Sequence, residues 1–194
     1  MLTVENGKII EEYDKFVNIG ESLSPKIINL TGITNEMIRD EGVDESVIAQ
    51  DLKERMAGDT LMIAHNCQFD MFFVYHLLFR HYPDEAYDIV SSAKWIDTVT
   101  VLKDRKDYPH KLIDAVRHYE LEEVNFHRAI DDTKALYKVT LKMKEDEDNL
   151  KDYINIFGYN PKYGPGTIMR FIEYKSQPYH NRGCLPRDEM LPYK

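Results

Sequence analysis

No stretch of this 194-residue sequence is apolar for long enough to cross a membrane, and its N-terminus lacks the basic and apolar regions of a secretory signal. These absences predict a cytoplasmic protein with no membrane partner. Cysteine is scarce: Cys67 and Cys184 are the only two, which fits a reducing compartment rather than a disulfide framework. Net positive charge is missing as well. With 34 acidic against 25 basic residues the formal charge is −9, which argues against a protein that coats nucleic acid by neutralising phosphate. It does not exclude a protein that meets phosphate through bound divalent metal, because carboxylates that hold such metal are acidic by construction and the metal supplies the positive charge. Internal repeats and low-complexity tracts are absent too.

What remains is the make-up of one well-buried folded domain, 43% hydrophobic and 30% charged. Its strongest local signal is Leu61–Phe73. The apolar run Leu61-Met62-Ile63-Ala64 ends in His65-Asn66, and a helical pattern begins at once. That reads as a buried strand feeding directly into a helix, the setting in which α/β folds place ligands just past strand ends. Asp70 falls in the first helical turn, where the helix dipole favours a carboxylate. Ordinary helix-start chemistry therefore explains Asp70 equally well on this stretch alone.

Around that stretch, Asn6-Gly7 predicts a hairpin with strands over Leu2–Glu5 and Lys8–Val17. Ser24-Pro25 caps and opens a short helix that ends at Thr31-Gly32, and Thr34 caps another turn over Asn35–Arg39. Asp44 to Met56 carries Val47, Ile48, Leu52 and Met56 at helical spacing. Gln68 to Tyr82 is a helix whose Phe72, Phe73, Leu77, Leu78 and Phe79 are expected in the core, with Phe69 as the exception at the helix mouth. Cys67 reads as a small space-filler. Trp95–Thr98 begins a strand or helix entry, and Asp97 is expected to be structural. His110 to Tyr119 is a helix with Leu112, Ile113 and Val116 facing in. Arg128 to about Lys144 is a long helix with Ala129, Leu136, Val139 or Thr140, and Met143 on one face. The charge run Lys144–Asp148 is a solvated helix end. It bounds a domain over residues 1–148, followed by a C-terminal extension or arm over 149–194 in which Thr167–Tyr174 is β-prone.

Two motifs stand in order along this frame. Asn66-x-x-Phe69-Asp70 is followed by His127-x-x-x-x-Asp132, with Trp95-Ile96-Asp97-Thr98…Leu102 and His110-Lys111-Leu112 between them. The combination resembles the second and third motifs of the DEDDh (DnaQ-like) 3′–5′ exonucleases, the family of the proofreading exonuclease of bacterial DNA polymerase III. The resemblance covers roughly Leu2 to Met143. It implies an α/β, ribonuclease H-like mixed sheet flanked by helices, and hydrolysis of phosphodiester bonds at 3′ ends of DNA by a two-metal-ion mechanism. Carried over residue by residue, Asp70 and Asp132 are metal ligands for Mg²⁺ or Mn²⁺, which want hard oxygen donors. His127 is the general base, suited by a pKa near neutrality. Asn66 and Phe69 touch the terminal nucleotide, the latter by stacking. Taken alone, His127 also reads as a helix-capping or surface histidine. The implied partners are single-stranded or frayed 3′-ended DNA and a DNA polymerase.

The family's first motif, Asp-x-Glu on the first strand, is not found ahead of Leu2–Ile10, which looks like the family's second strand and its turn. The sheet is therefore expected without its first strand, and the metal site with two carboxylates in place of four, at a cost to metal affinity and turnover. Ile168–Tyr174, from the same chain or from a homodimer partner by strand exchange, is expected to fill the slot, or the sheet to be rearranged. The alternative functional reading is a catalytically incompetent module of the same fold that binds nucleic acid or a polymerase, or an exonuclease that trims RNA.

Overall fold

The structure is a computed structural model that describes residues 1–18, 20–122 and 128–178. Strands β1 (Leu2–Glu5) and β2 (Lys8–Glu12) form an antiparallel hairpin. Asn6 and Gly7 turn it with φ of +50° and +73°, the left-handed pair that an Asn-Gly turn supplies. The second strand stops at Glu12, and Val17–Asn18 is a separate strand, β3, so the predicted run to Val17 is two pieces. Helix α1 (Pro25–Thr31) is capped by the Ser24 hydroxyl, which accepts the Ile27 N–H, and it ends on left-handed Gly32. Helix α2 (Asn35–Glu41) is capped by Thr34. Strand β4 (Val43–Asp44) pairs parallel with β3, and Asp44 caps α3 (Glu45–Arg55).

Then comes the central unit. Strand β5 (Leu61–Ala64) runs straight into α4 (Cys67–His81). Helix α5 (Ala86–Ser92) leads to β6 (Lys94–Asp97), which pairs with β5 in parallel, Leu61 opposite Lys94 and Ala64 opposite Asp97. Helix α6 (Thr98–Arg105) follows without a break, then α7 (Leu112–His118) and the long α8 (Ala129–Asp146). After a 3₁₀ turn (Leu150–Tyr153), β7 (Ile156–Tyr159) pairs in parallel with β8 (Glu173–Ser176).

Asn155 joins these pairs. Its N–H donates to Trp95 O at 2.7 Å, its side-chain oxygen accepts the Trp95 N–H at 2.9 Å, and its carbonyl accepts the Glu173 N–H at 2.8 Å. Among the described residues the strands make four two-stranded pairs rather than one continuous sheet. The β-prone segment near the C-terminus therefore does not fill a place beside the hairpin. Met169 and Ile172 turn into the core, Ile172 N–H bonding back to Met169 O, and only Glu173–Ser176 extends, against β7 of its own chain.

Two apolar clusters hold the elements together. One gathers Leu52, Met56, Met71, Leu78, Val90 and Trp95 around α3, α4 and α5, and residues beyond 148 join it through Phe157, Met169 and Ile172. The other packs α6, α7 and α8 on β6 through Ile96, Leu102, Val116, Val139 and Met143. On α8 the inward face is Ile130, Ala135, Val139 and Met143, with Ala129 exposed. On α4 the expectation of a helix crowded into the core holds for Leu78, and in part for Phe72 and Leu77, but fails for two of its phenylalanines. Phe73 and Phe79 are 65% and 48% exposed, because α3 and α5 cover only one side of the helix and leave its outward face bare.

Candidate functional site

The site is built where β5 hands over to α4. Asn66 is the hinge, a non-glycine residue in the left-handed region at φ +68° and ψ 51°, a conformation that must be held by its surroundings. Asp97 holds it. Its Oδ1 accepts the N–H groups of Asn66 at 2.9 Å, Cys67 at 3.2 Å and Val99 at 3.1 Å, and its Oδ2 accepts the Thr100 hydroxyl at 2.8 Å. One buried carboxylate thereby satisfies the first turns of both α4 and α6, which answers the desolvation cost of burying it. This matches the structural role expected for Asp97.

With its backbone so fixed, Asn66 makes no side-chain capping bond, and its side chain is exposed at the mouth of α4. Phe69 and Asp70 lie one turn on. Phe69 is 60% exposed and Asp70 is exposed beside it. Dehydration by the surrounding protein, joined by the charge of Asp97, pushes the Asp70 carboxyl above its ordinary value. Three of the residues that the sequence singles out therefore stand together. Cys67 is fully buried and burial pushes its thiol well up, so it fills space and is not a nucleophile.

Asp132 occupies the first turn of α8, half-buried, its N–H bonded to Arg128 O at 3.0 Å. Both carboxylates thus sit at helix N-termini, where the dipole favours negative charge. His127 lies outside the described residues. As donors, Asp70 and Asp132 suit hard divalent ions. Among the described residues, however, no three His, Cys, Asp or Glu side chains converge.

Behind the mouth lie two histidines, His110 buried and His65 half-buried, that the sequence did not single out as a pair. His65 Nε2 meets His110 O at 2.9 Å, so it carries the proton, while Nδ1 faces the Thr98 hydroxyl at 3.0 Å. His110 Nε2 in turn meets Lys106 O at 3.0 Å. Burial lowers the pKa of both imidazoles, which keeps them neutral as packing groups. Gln68 was also missed. Its amide Nε2 donates to Pro165 O at 2.9 Å and Thr167 O at 2.5 Å, which ties the loop between β7 and β8 to the first turn of α4. No local sequence pattern announces a bond of that reach.

Comparison with known proteins gives a consistent answer. A family model described as an exonuclease, RNase_T, matches residues 1–140. The chain is 35% identical over 153 residues to the PolC-type DNA polymerase III of Staphylococcus epidermidis and 35% identical over 185 residues to that of Bacillus subtilis. These alignments take in 76% and 91% of this chain but 10% and 12% of the relatives, so the chain spans only about a tenth of their length. Among solved structures it is similar to an exonuclease X in complex with 5′ overhanging duplex DNA, with a TM-score of 0.54 at 18% identity over 76% of this chain and 81% of that one. It is also similar to the zinc-bound form of an E. coli ExoI–ssDNA complex, with a TM-score of 0.60 at 18% identity over 76% of this chain and 36% of that one. That likeness shows the fold, a ribonuclease H-like α/β arrangement.

Proposed function

This chain belongs to the exonuclease family that the RNase_T model describes, and from that membership we propose that it hydrolyses phosphodiester bonds at 3′ ends of DNA. The observation that carries the reading is the grouping of Asn66, Phe69 and Asp70 in one exposed turn directly after β5, locked from behind by Asp97. DNA is preferred to RNA because the relatives at 35% identity are named as DNA polymerases. Such a polymerase is the partner that the reading suggests.

In this proposal Asp70 and Asp132 hold Mg²⁺ or Mn²⁺, with further ligands from outside the described residues. Bound there, the ions would supply an activated water and offset charge on the scissile phosphate. The chain's own groups do the rest. Asn66 presents its side-chain amide to the terminal nucleotide, its backbone already fixed so that little order is lost on binding. Phe69 offers an open ring face to the terminal base. His127 takes the proton of the attacking water, a task that suits an imidazole, whose ordinary pKa lies near neutrality.

One observation favours a second reading, a module that grips a 3′ end or a polymerase without cutting: among the described residues no three His, Cys, Asp or Glu side chains converge. Polarity of attack tests the first reading. A single-stranded oligodeoxynucleotide labelled at its 5′ end should shorten stepwise with Mn²⁺, and a 3′-blocked copy should not. Internal cutting of both would overturn the proposal.

A further inference from the structure

Two routes of hydrogen bonds run from the chain beyond residue 148 to the turn of residues 66–70. The first is direct. Gln68, the second residue of α4, donates from one amide nitrogen to two carbonyls, Pro165 O at 2.9 Å and Thr167 O at 2.5 Å. Gly166 lies between those carbonyls at φ +71°, a bend that glycine adopts without strain. Asn160 shapes the start of the same loop: its carbonyl accepts the Tyr163 and Gly164 N–H groups, and its side-chain oxygen accepts the Lys162 N–H at 2.9 Å.

The second route is a relay. The Gly158 N–H of β7 donates to the Thr100 hydroxyl at 2.6 Å, that hydroxyl donates to Asp97 Oδ2 at 2.8 Å, and Asp97 Oδ1 accepts the Asn66 N–H at 2.9 Å. Thr100 is wholly buried, so its one hydroxyl hydrogen goes to the carboxylate while a lone pair serves Gly158. Gln177, just past β8, donates from Nε2 to Thr100 O at 2.8 Å.

These links do more than attach the segment. Phe157, Met169 and Ile172 already anchor it in the first apolar cluster. The polar routes add direction, because both end on the one turn that carries Asn66, Phe69 and Asp70. They also come from a part of the chain beyond residue 140, where the family match ends.

We propose that residues 155–177 are a positioning element of the exonuclease site, and that Gln68 and Thr100 are the positioning residues through which they fix the turn. The inference rests on the 3′-end reading of Asn66, Phe69 and Asp70. It adds residues that touch neither the nucleotide nor the ion. Misplacing a reacting group by about 1 Å can cost about a hundred-fold in rate, so holding this turn at two points is a contribution to turnover and not only to stability.

The test uses the full chain with Gln68→Met, which keeps the length and loses the donor, Thr100→Val, which keeps the shape and loses the hydroxyl, and Thr100→Ser, which keeps the hydroxyl. Each is measured well below its melting temperature on 5′-labelled single-stranded DNA with Mn²⁺. Gln68→Met and Thr100→Val should lower kcat about ten-fold with KM little changed, and Thr100→Ser should restore most of it. Without metal or DNA, hydrogen exchange of the Phe69 amide, which bonds Asn66 O at 3.0 Å, should run about five-fold faster in Gln68→Met, about what one net hydrogen bond is worth. Unchanged kcat in Gln68→Met overturns the positioning role, whatever the exchange shows, and leaves the 3′-end reading standing. A raised KM with kcat intact would make the loop a substrate contact and likewise overturn it. Absence of shortening by the folded, unaltered chain overturns the 3′-end reading, and the positioning role with it.

Discussion

Asp97 reaches from the end of β6 to the exit of β5 and fixes Asn66: its Oδ1 accepts the Asn66 N–H at 2.9 Å, while Asn66 sits at φ +68°. The bond ties the position of the candidate site to the pairing of two core strands. The same oxygen also serves Cys67 and Val99, so the starts of two helices depend on one side chain.

Asp97→Ala is expected to strand these buried N–H donors and to lower stability by about 1–3 kcal/mol, the cost of leaving buried donors unsatisfied. Asp97→Asn retains an acceptor oxygen and should lose less. Urea midpoints of the three proteins check the order. A midpoint for Asp97→Ala equal to that of the unaltered chain would contradict the role assigned here.

Gly158 lies where β7 crosses α6. A Cβ there would fall 1.6 Å from Gln177 Oε1 and 3.1 Å from Thr100 Oγ1. Gln177 cannot yield cheaply, since its Nε2 donates to Thr100 O at 2.8 Å and to Asp104 Oδ1 at 2.9 Å. Gly158→Ala should therefore destabilise by about 1–3 kcal/mol, as overpacking does. Thermal melts would show it, and an unchanged melting temperature would mean that β8 shifts freely on β7.

Stability should also fall on mild acidification. Burial holds the His65 and His110 imidazoles below their ordinary pKa, so near pH 6 the unfolded chain binds more protons than the folded one and stability rises with pH. The contribution is complete above the unfolded value of about 6.5 and is lost as pH drops through that value toward the lower folded ones. Urea unfolding between about pH 7.5 and pH 5.5 measures the slope, and His65→Gln should flatten it. A flat profile in the unaltered chain would refute the assignment.

Elements with local signals were legible in the sequence. The bounds of the strand Leu61–Ala64 were legible to the residue, because an apolar run bounded by Thr60 and His65 leaves little choice, but the burial expected of it fails: Leu61 is exposed and Met62, Ile63 and Ala64 are only half-buried. The Ser24 and Thr34 caps were read from hydroxyls at helix starts. Helix α6 was harder. Thr98-Val99-Thr100-Val101 favours extended backbone by β-branching, and it turns helical because Asp97 caps it and the second cluster takes up Val101 and Leu102. Exposure on α4 was misjudged because periodicity shows which faces are apolar, not which of them find a neighbour. Of the candidate site, Asn66, Phe69 and Asp70 were legible from one short motif. The Gln68 tether was not, since it depends on where a distant loop comes to rest.

The most direct measurement is the Mn²⁺-dependent shortening of 5′-labelled single-stranded DNA by this chain beside His127→Ala, Asp70→Asn and Asp132→Asn, each shown to be folded. The account predicts stepwise loss from the 3′ end by the unaltered chain and little or none by any variant. No shortening by the folded, unaltered chain, or undiminished shortening by the variants, would contradict it.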